Sequence, residues 1–176
     1  MVISVGSWLT STAYGQNNDN ATLAVTAANG EIKVEAAPPA NTPAATFFGN
    51  TIGGVTACDL FYVNATDSPL DISVDLYIAN PNELIHYLKY LILKVAVYVE
   101  DIDGQWKQIT SQDGTVLPDI YITLQNSPVT FILPGAARYK VTIESGSYYC
   151  LPFNSDKGEI APSFYLNVES ASFMPM

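Results

Sequence analysis

A single histidine, two cysteines and seventeen carboxylates are the side chains of this sequence that could do chemistry. His86 lies between Ile85 and Tyr87, and a Cys–His dyad would need Cys58 or Cys150 free beside it, which no spacing indicates. No G-x-S-x-G elbow presents a serine nucleophile. A transition-metal centre needs several His or Cys ligands, and the chain cannot supply them. Glu100, Asp101 and Asp103 cluster before Gly104, and D-x-D-G is how a calcium loop begins. Position 112, where an EF-hand puts its bidentate glutamate, is Gln112, which excludes that motif. A looser calcium site that uses these three carboxylates, assembled from several loops or shared between subunits, stays open beside a solvated turn. No spacing marks a glycosidase pair. The expectation is a protein that is not an enzyme and holds no metal or cofactor, with calcium the one exception left open.

Cys58 and Cys150 each sit in an aromatic-flanked strand sequence, CDLFYV and SYYCLPF. A lone pair in a secreted protein predicts one disulfide, closing a loop of about 90 residues and adding roughly 4–5 kcal/mol in the chain-entropy model. Two unpaired buried thiols, acting as small hydrophobes, are the alternative.

The elements that must carry these groups follow from composition and pattern. The chain has 176 residues, 48% hydrophobic and 14% charged, with a formal net charge of −10. That is core material for one domain, lightly charged, and disorder is excluded. With seven Lys and Arg in all, no basic patch forms, so neither nucleic acid nor an anionic membrane is an expected partner. No stretch reaches the ~18 apolar residues of a membrane helix. The first residues lack the basic and apolar regions of a signal peptide, so a secreted protein is expected here in its mature form. Sequons at Asn20 and Asn64 are candidate glycosylation sites.

The opening stretch MVISVGSWLTST reads as an uncharged strand. Ile3, Val5 and Leu9 lie on one face, Val2 and Trp8 on the other, so it calls for burial on both sides. The polar run STAYGQNNDN holds it away from the rest of the chain. An apolar strand on a tether is an aggregation hazard unless a groove receives it. The expectation is a donor arm and hinge over residues 1–19, with Val2, Ile3, Val5, Trp8 and Leu9 entering a neighbouring copy, and a sandwich domain over residues 20–176. The alternative is an ordinary first strand in its own sheet.

Further along, Thr22–Thr26 and Glu31–Glu35 alternate about Asn29-Gly30, a hairpin signal. Leu70, Ile72, Val74, Leu76 and Ile78 alternate with polar residues in the cleanest half-buried strand. Asn80, Pro81 and Glu83 form a capping-box start, predicting a helix over ELIHYLKYL with Leu84, Leu88 and Leu91 in one stripe. Strands are then expected at Ile92–Val99, Gln105–Thr110, Asp119–Leu124, Val129–Leu133, Arg138–Glu144, Ser147–Phe153 and Ser163–Val168. Short strands divided by turn residues predict an all-β fold: a jelly-roll-like β-sandwich with one short helix and a protruding N-terminal donor strand.

Gly6, Trp8, Thr10–Thr12, Asn17, Asn20 and the hairpin over Thr22–Glu35 resemble the opening of the TasA/camelysin family of secreted fibre proteins. The segment LYIANPNELIHYLKYLILKV is similar to the strand–helix–strand block of archaeal extracellular filament proteins, both bundling pilins and cannula subunits. Ser11 and Thr12 stand where that family carries an acidic residue. The resemblance implies an extracellular, cell-surface filament that polymerises by donor-strand complementation. Its partners would be identical subunits in a helical homopolymer and, through lateral bundling, other filaments of a biofilm. Two further readings remain: a calcium-dependent cannula or sheath-like tube subunit, and a secreted adhesin or carbohydrate-binding module using Tyr148, Tyr149 and Phe153 as a sugar platform.

Overall fold

Strand after strand in this chain alternates buried and solvent-touching residues, the mark of sheets with one face packed and one wet. The computed structural model describes residues 9–11, 25–26, 32–36, 45–46, 52–55, 57–112, 114–151, 159–160 and 162–170. The first part of the chain contributes β1 (Leu9–Ser11), β2 (Val25–Thr26), β3 (Lys33–Ala36), β4 (Ala45–Thr46), β5 (Ile52–Val55), β6 (Cys58–Asn64) and β7 (Ile72–Ile78). Helix α1 (Pro81–Ile85) is followed by β8 (Leu88–Glu100), β9 (Trp106–Gln108), β10 (Ser111–Gln112), β11 (Thr115–Val116) and β12 (Ile120–Thr123). The last strands are β13 (Val129–Leu133), β14 (Arg138–Cys150), β15 (Glu159–Ile160) and β16 (Phe164–Ser170).

Two antiparallel sheets make the sandwich. The small one runs β1-β16-β7-β13, and the large one runs β12-β8-β14-β6-β3-β2, with β5 pairing β14 and β9 pairing β8. The chain crosses from sheet to sheet at β1–β2, β6–β7, β7–β8, β12–β13, β13–β14 and β14–β16, as a jelly-roll-like sandwich requires. Ile72, Val74, Leu76 and Ile78 of the small sheet bury against a core that includes Leu93, Val95, Val97, Val141 and Ile143 of the large one. Leu70, which the alternation assigns to that row, lies before β7 and is 38% exposed.

The early hairpin forms as its sequence dictates. Val25 faces Val34 and Thr26 faces Lys33, a register centred on Asn29-Gly30. Ile32 and Val34 are buried and Glu35 is exposed.

The helix is shorter than its leucine stripe predicts. It starts at Pro81, with Leu84 N–H donating to the Asn80 carbonyl at 3.1 Å, and stops at Ile85. Asn80 makes no side-chain cap bond; its Oδ1 instead accepts from Ser163 N–H at 2.8 Å, holding the approach to β16. Leu88 and Leu91 already belong to β8. Cys150 pairs with Leu88 and Tyr149 with Tyr90, so Lys89 is an extra residue in the ladder. A bulge of this kind turns a spacing of two into three, and in sequence that imitates a helix.

Arg138–Glu144 and Ser147–Phe153, expected as separate strands, are joined in β14, which runs unbroken to Cys150. Gly146 does not end it, because Leu93 pairs with Gly146 on one side and Val55 on the other. Glu144 is passed over in that ladder, and Leu60 is passed over between β6 and β14.

The turn into β14 locks the two sheets together. Tyr139 is 2% exposed, and its hydroxyl donates to the Pro134 carbonyl at 2.5 Å, the arrangement of a tyrosine corner. Ala136 N–H donates to the Ser68 carbonyl and Ala65 N–H to the Ala137 carbonyl, both at 2.9 Å. At Gly135 a Cβ would collide with the Ser68 and Leu70 carbonyl oxygens. Burial first, and the Asp71 carboxylate second, push the Tyr139 phenol up to about 12.

Gly135→Ala is expected to lower stability by roughly 1–3 kcal/mol, as forced overpacking does, read as a lower denaturant midpoint. A phenol raised in the folded state adds stability that is whole below pH ~10 and is lost as pH climbs towards 12. Tyr139→Phe should cost about 1 kcal/mol at neutral pH and flatten the alkaline limb of a stability-against-pH curve. A variant curve parallel to wild type above pH 10 would contradict this.

Candidate functional site

The edges of the small sheet and the space beside them are where this fold can act on something outside itself. At one edge β1 pairs with β16, Leu9 facing Leu166, Thr10 facing Tyr165 and Ser11 facing Phe164. Leu9 is therefore seated on its own subunit, which corrects its assignment as a residue given away. Val2, Ile3, Val5 and Trp8 lie outside the described residues. At the opposite edge stands β13, bonded among the described strands only to β7.

Beside β13 opens a cleft of about 850 Å³. Val95, Val97 and Val99 of β8 line one side, and Phe131 and Leu133 of β13 another. The third side is the excursion between β9 and β12, which contributes Ile109, Leu117 and Pro118. That excursion leaves the sheet where Ile109 N–H donates to the Val97 carbonyl at 2.9 Å, and it closes where Leu117 N–H donates to the Thr110 carbonyl at 2.7 Å. Gly114, with φ of 77°, lies in the turn of its β10–β11 hairpin. Lys94 on the rim reaches Asp119 at 3.0 Å and Glu144 at 3.3 Å, and both bonds raise its pKa. The lining is mainly aliphatic, with the Lys94–Asp119 pair and the Asp71 carboxylate at its margin, which suits an apolar guest with polar edges.

Sequence reasoning missed this cleft. Its walls come from β8, β13 and the 109–119 excursion, and nothing in one stretch announces the others. Val116 and Leu117, apolar within a turn-rich segment, are the only local hint.

The acidic turn is built differently from a cation site. Asp101 Oδ1 accepts from the Asp103 and Gln105 N–H groups, both at 2.9 Å, while Oδ2 pairs with Lys107 at 2.8 Å. Lys107 first, then the backbone donors, hold the Asp101 carboxyl below its usual range. Glu100 is drawn away to Arg138 at 2.6 Å. Glu100, Asp101 and Asp103 are thus not gathered as ligands, and among the described residues no group of three or more His, Cys, Asp or Glu side chains could hold a metal. Asp101 caps the β8–β9 hairpin.

The disulfide does not form. Cys58 is a free, buried thiol, raised to about 12 by burial first and Asp59 second. The register explains why. Cys58 faces Ile143, and Cys150 is seven residues further along β14 opposite Leu88, roughly 20 Å away at the rise of a strand. A disulfide tolerates about 7 Å between Cα atoms.

The sugar platform is not assembled either. Tyr148 and Tyr149 are neighbours on one strand and point to opposite faces. Tyr148 is buried, and Tyr149 packs on Tyr90 at 6.0 Å under Lys89; Phe153 lies outside the described residues. The aromatic cluster that does form is on the outer face of the large sheet. Lys140 lies over the rings of Tyr98 at 5.0 Å and Trp106 at 5.3 Å, and Tyr62 stands 5.9 Å from Trp106. His86 ends α1 and is exposed. Asn64 closes β6, its Oδ1 accepting from Thr66 N–H at 3.1 Å and Thr66 Oγ1 at 2.7 Å; Asn20 lies outside the described residues. No helix among the described residues is long and apolar enough to cross a membrane.

No protein family matches the sequence. No curated protein matches it. Among solved structures, the chain is similar to the K1 cleaved adhesin domain of Lys-gingipain from Porphyromonas gingivalis W83. Identity is 14%, with 99% of this chain and 98% of that chain covered, at a TM-score of 0.29. A second similarity is to infectious bursal disease virus, Gt strain, at 10% identity, with 96% of this chain and 56% of that chain covered and a TM-score of 0.21. Overlaps this loose carry no functional argument.

If Cys58 is an unpaired core thiol, a reducing agent should leave the melting temperature unchanged. A thiol reagent should modify Cys58 only after denaturation. A drop of several degrees on reduction would contradict the free thiol and show that a disulfide is present.

Proposed function

We propose that this chain is a structural, non-catalytic subunit of an extracellular filament, joined to its neighbour by the strand that precedes β1. The observation that carries the reading is the seating of β1. Residues 1–12 hold no charged side chain, and their last described part, Leu9–Ser11, is fixed at a sheet edge. The β16 ladder meets β1 along one edge, and no other described strand is hydrogen-bonded to β1. Val2, Ile3, Val5 and Trp8 then bury best by completing another copy, through main-chain hydrogen bonds as well as apolar contact. Such a contact joins unlike surfaces and does not close on itself, so it propagates as a fibre.

The resemblance of residues 6–35 to TasA/camelysin-type fibre proteins supports the same reading. Sparse surface charge then lets fibres bundle side by side, as a biofilm matrix requires.

Removing residues 1–8 leaves β1 in place. That variant should remain a folded monomer, melting within about 2 °C of the full chain, and show no filaments by negative-stain microscopy where the full chain forms them. Fibres of normal length from the truncated protein would refute the proposal.

A further inference from the structure

The acceptor can be located, on the reading that the chain polymerises through its leading strand. We infer that the cleft beside β13 receives residues 1–8 of a second copy, laid along the edge of β13 that no described strand pairs with. The first support is topological. In the order β1-β16-β7-β13, β1, which residues 1–8 lead into, lies at one edge of the small sheet, and β13, paired among the described strands only with β7, stands at the other. A donor at one edge and an acceptor at the opposite edge of one sheet give a head-to-tail contact in which the small sheet continues from copy to copy.

Chemistry and size agree. MVISVGSW has apolar side chains on both faces, and the cleft has apolar walls on more than one side: Val95 and Val97, Phe131, and Leu117 of the excursion. Eight extended residues span roughly 27 Å, longer than the roughly 17 Å of a five-residue strand such as β13. The arm can therefore cover that whole edge. Charge selects the same occupant. Two copies of a chain with net charge −10 repel, and the uncharged arm is the part that approaches at least cost. On the rim the Lys94 ammonium already pairs with Asp119 and Glu144, so a guest without charged side chains leaves that cation satisfied, with Asp71 the remaining charge at the margin.

The test uses the full-length chain with Cys58→Ala and Cys150→Ala, carrying Val5→Cys with Ile132→Cys on β13, and a short bis-maleimide cross-linker. Ile132 is exposed and lines the cleft. Asp67→Cys in place of Ile132→Cys, on the exposed turn before β7, is the control. The expected result is a ladder of covalent dimers, trimers and higher species on denaturing gels for the Val5/Ile132 pair, several-fold stronger than for the control. Filaments by microscopy without that ladder would overturn the cleft as acceptor and leave the filament standing. Cross-links confined to single chains would also overturn it, since the arm would then lie in its own cleft. Monomers at every concentration, with the wild-type chain behaving alike, would overturn the filament reading and this inference together.

Discussion

The pairing of β8 with β14 is the contact on which the rest of this structure depends. Each strand is thirteen residues long, and they run antiparallel from Tyr139–Val99 to Cys150–Leu88. Strands this long twist strongly, and the extra residues at Lys89 and Glu144 let the ladder bend without losing its bonds. The inner rows of the pair, with Val97 facing Val141, Val95 facing Ile143 and Leu93 facing Gly146 across the ladder, are the floor onto which the small sheet packs. β6 and β5 add to β14, and β12 and β9 add to β8.

That arrangement also decides where the sandwich is left open. β9 and β12 share the outer side of β8 but do not meet, since Tyr98–Glu100 belong to one and Ile92–Val95 to the other. The excursion from Ile109 to Asp119 leaves through the gap, and the cleft lies beneath it, against β13. The opening thus follows from how two short strands divide one long partner. The opposite edge is closed by β1 on β16, with β1 also approaching β3 of the large sheet.

The wet faces of the two sheets differ in chemistry. On the large sheet Arg138 pairs with Glu100, Lys140 with Asp59, Lys107 with Asp101, and Lys94 with Asp119 and Glu144, while Lys89 lies over the Tyr149 ring. Lys140 is further held against Tyr98 and Trp106. Exposed pairs of this kind add little stability singly; what they do here is leave an acidic chain with few unpaired cations to attract anionic partners. The small sheet instead presents the stacked Tyr77 and Tyr165 rings, 4.3 Å apart, beside Asp75 bonded to Thr130 and Asn167.

What the sequence determined by itself is whatever depends on neighbours along the chain. The period of two from Ile72 to Ile78, the pairing of Val25 with Val34, the Pro81 helix start and the turn at Gly104 follow local rules, and the fold obeys them. Tertiary structure decided everything that depends on what lies across a ladder. Leu88 and Leu91 carry helical spacing, yet pairing with β14 takes them as strand, because a bulge and a helical turn advance the same number of residues. Cys58 and Cys150 look like natural partners until the register sets them a strand's length apart. The cleft could not be read from any one stretch, since its walls meet only when distant strands are brought together by a shared core.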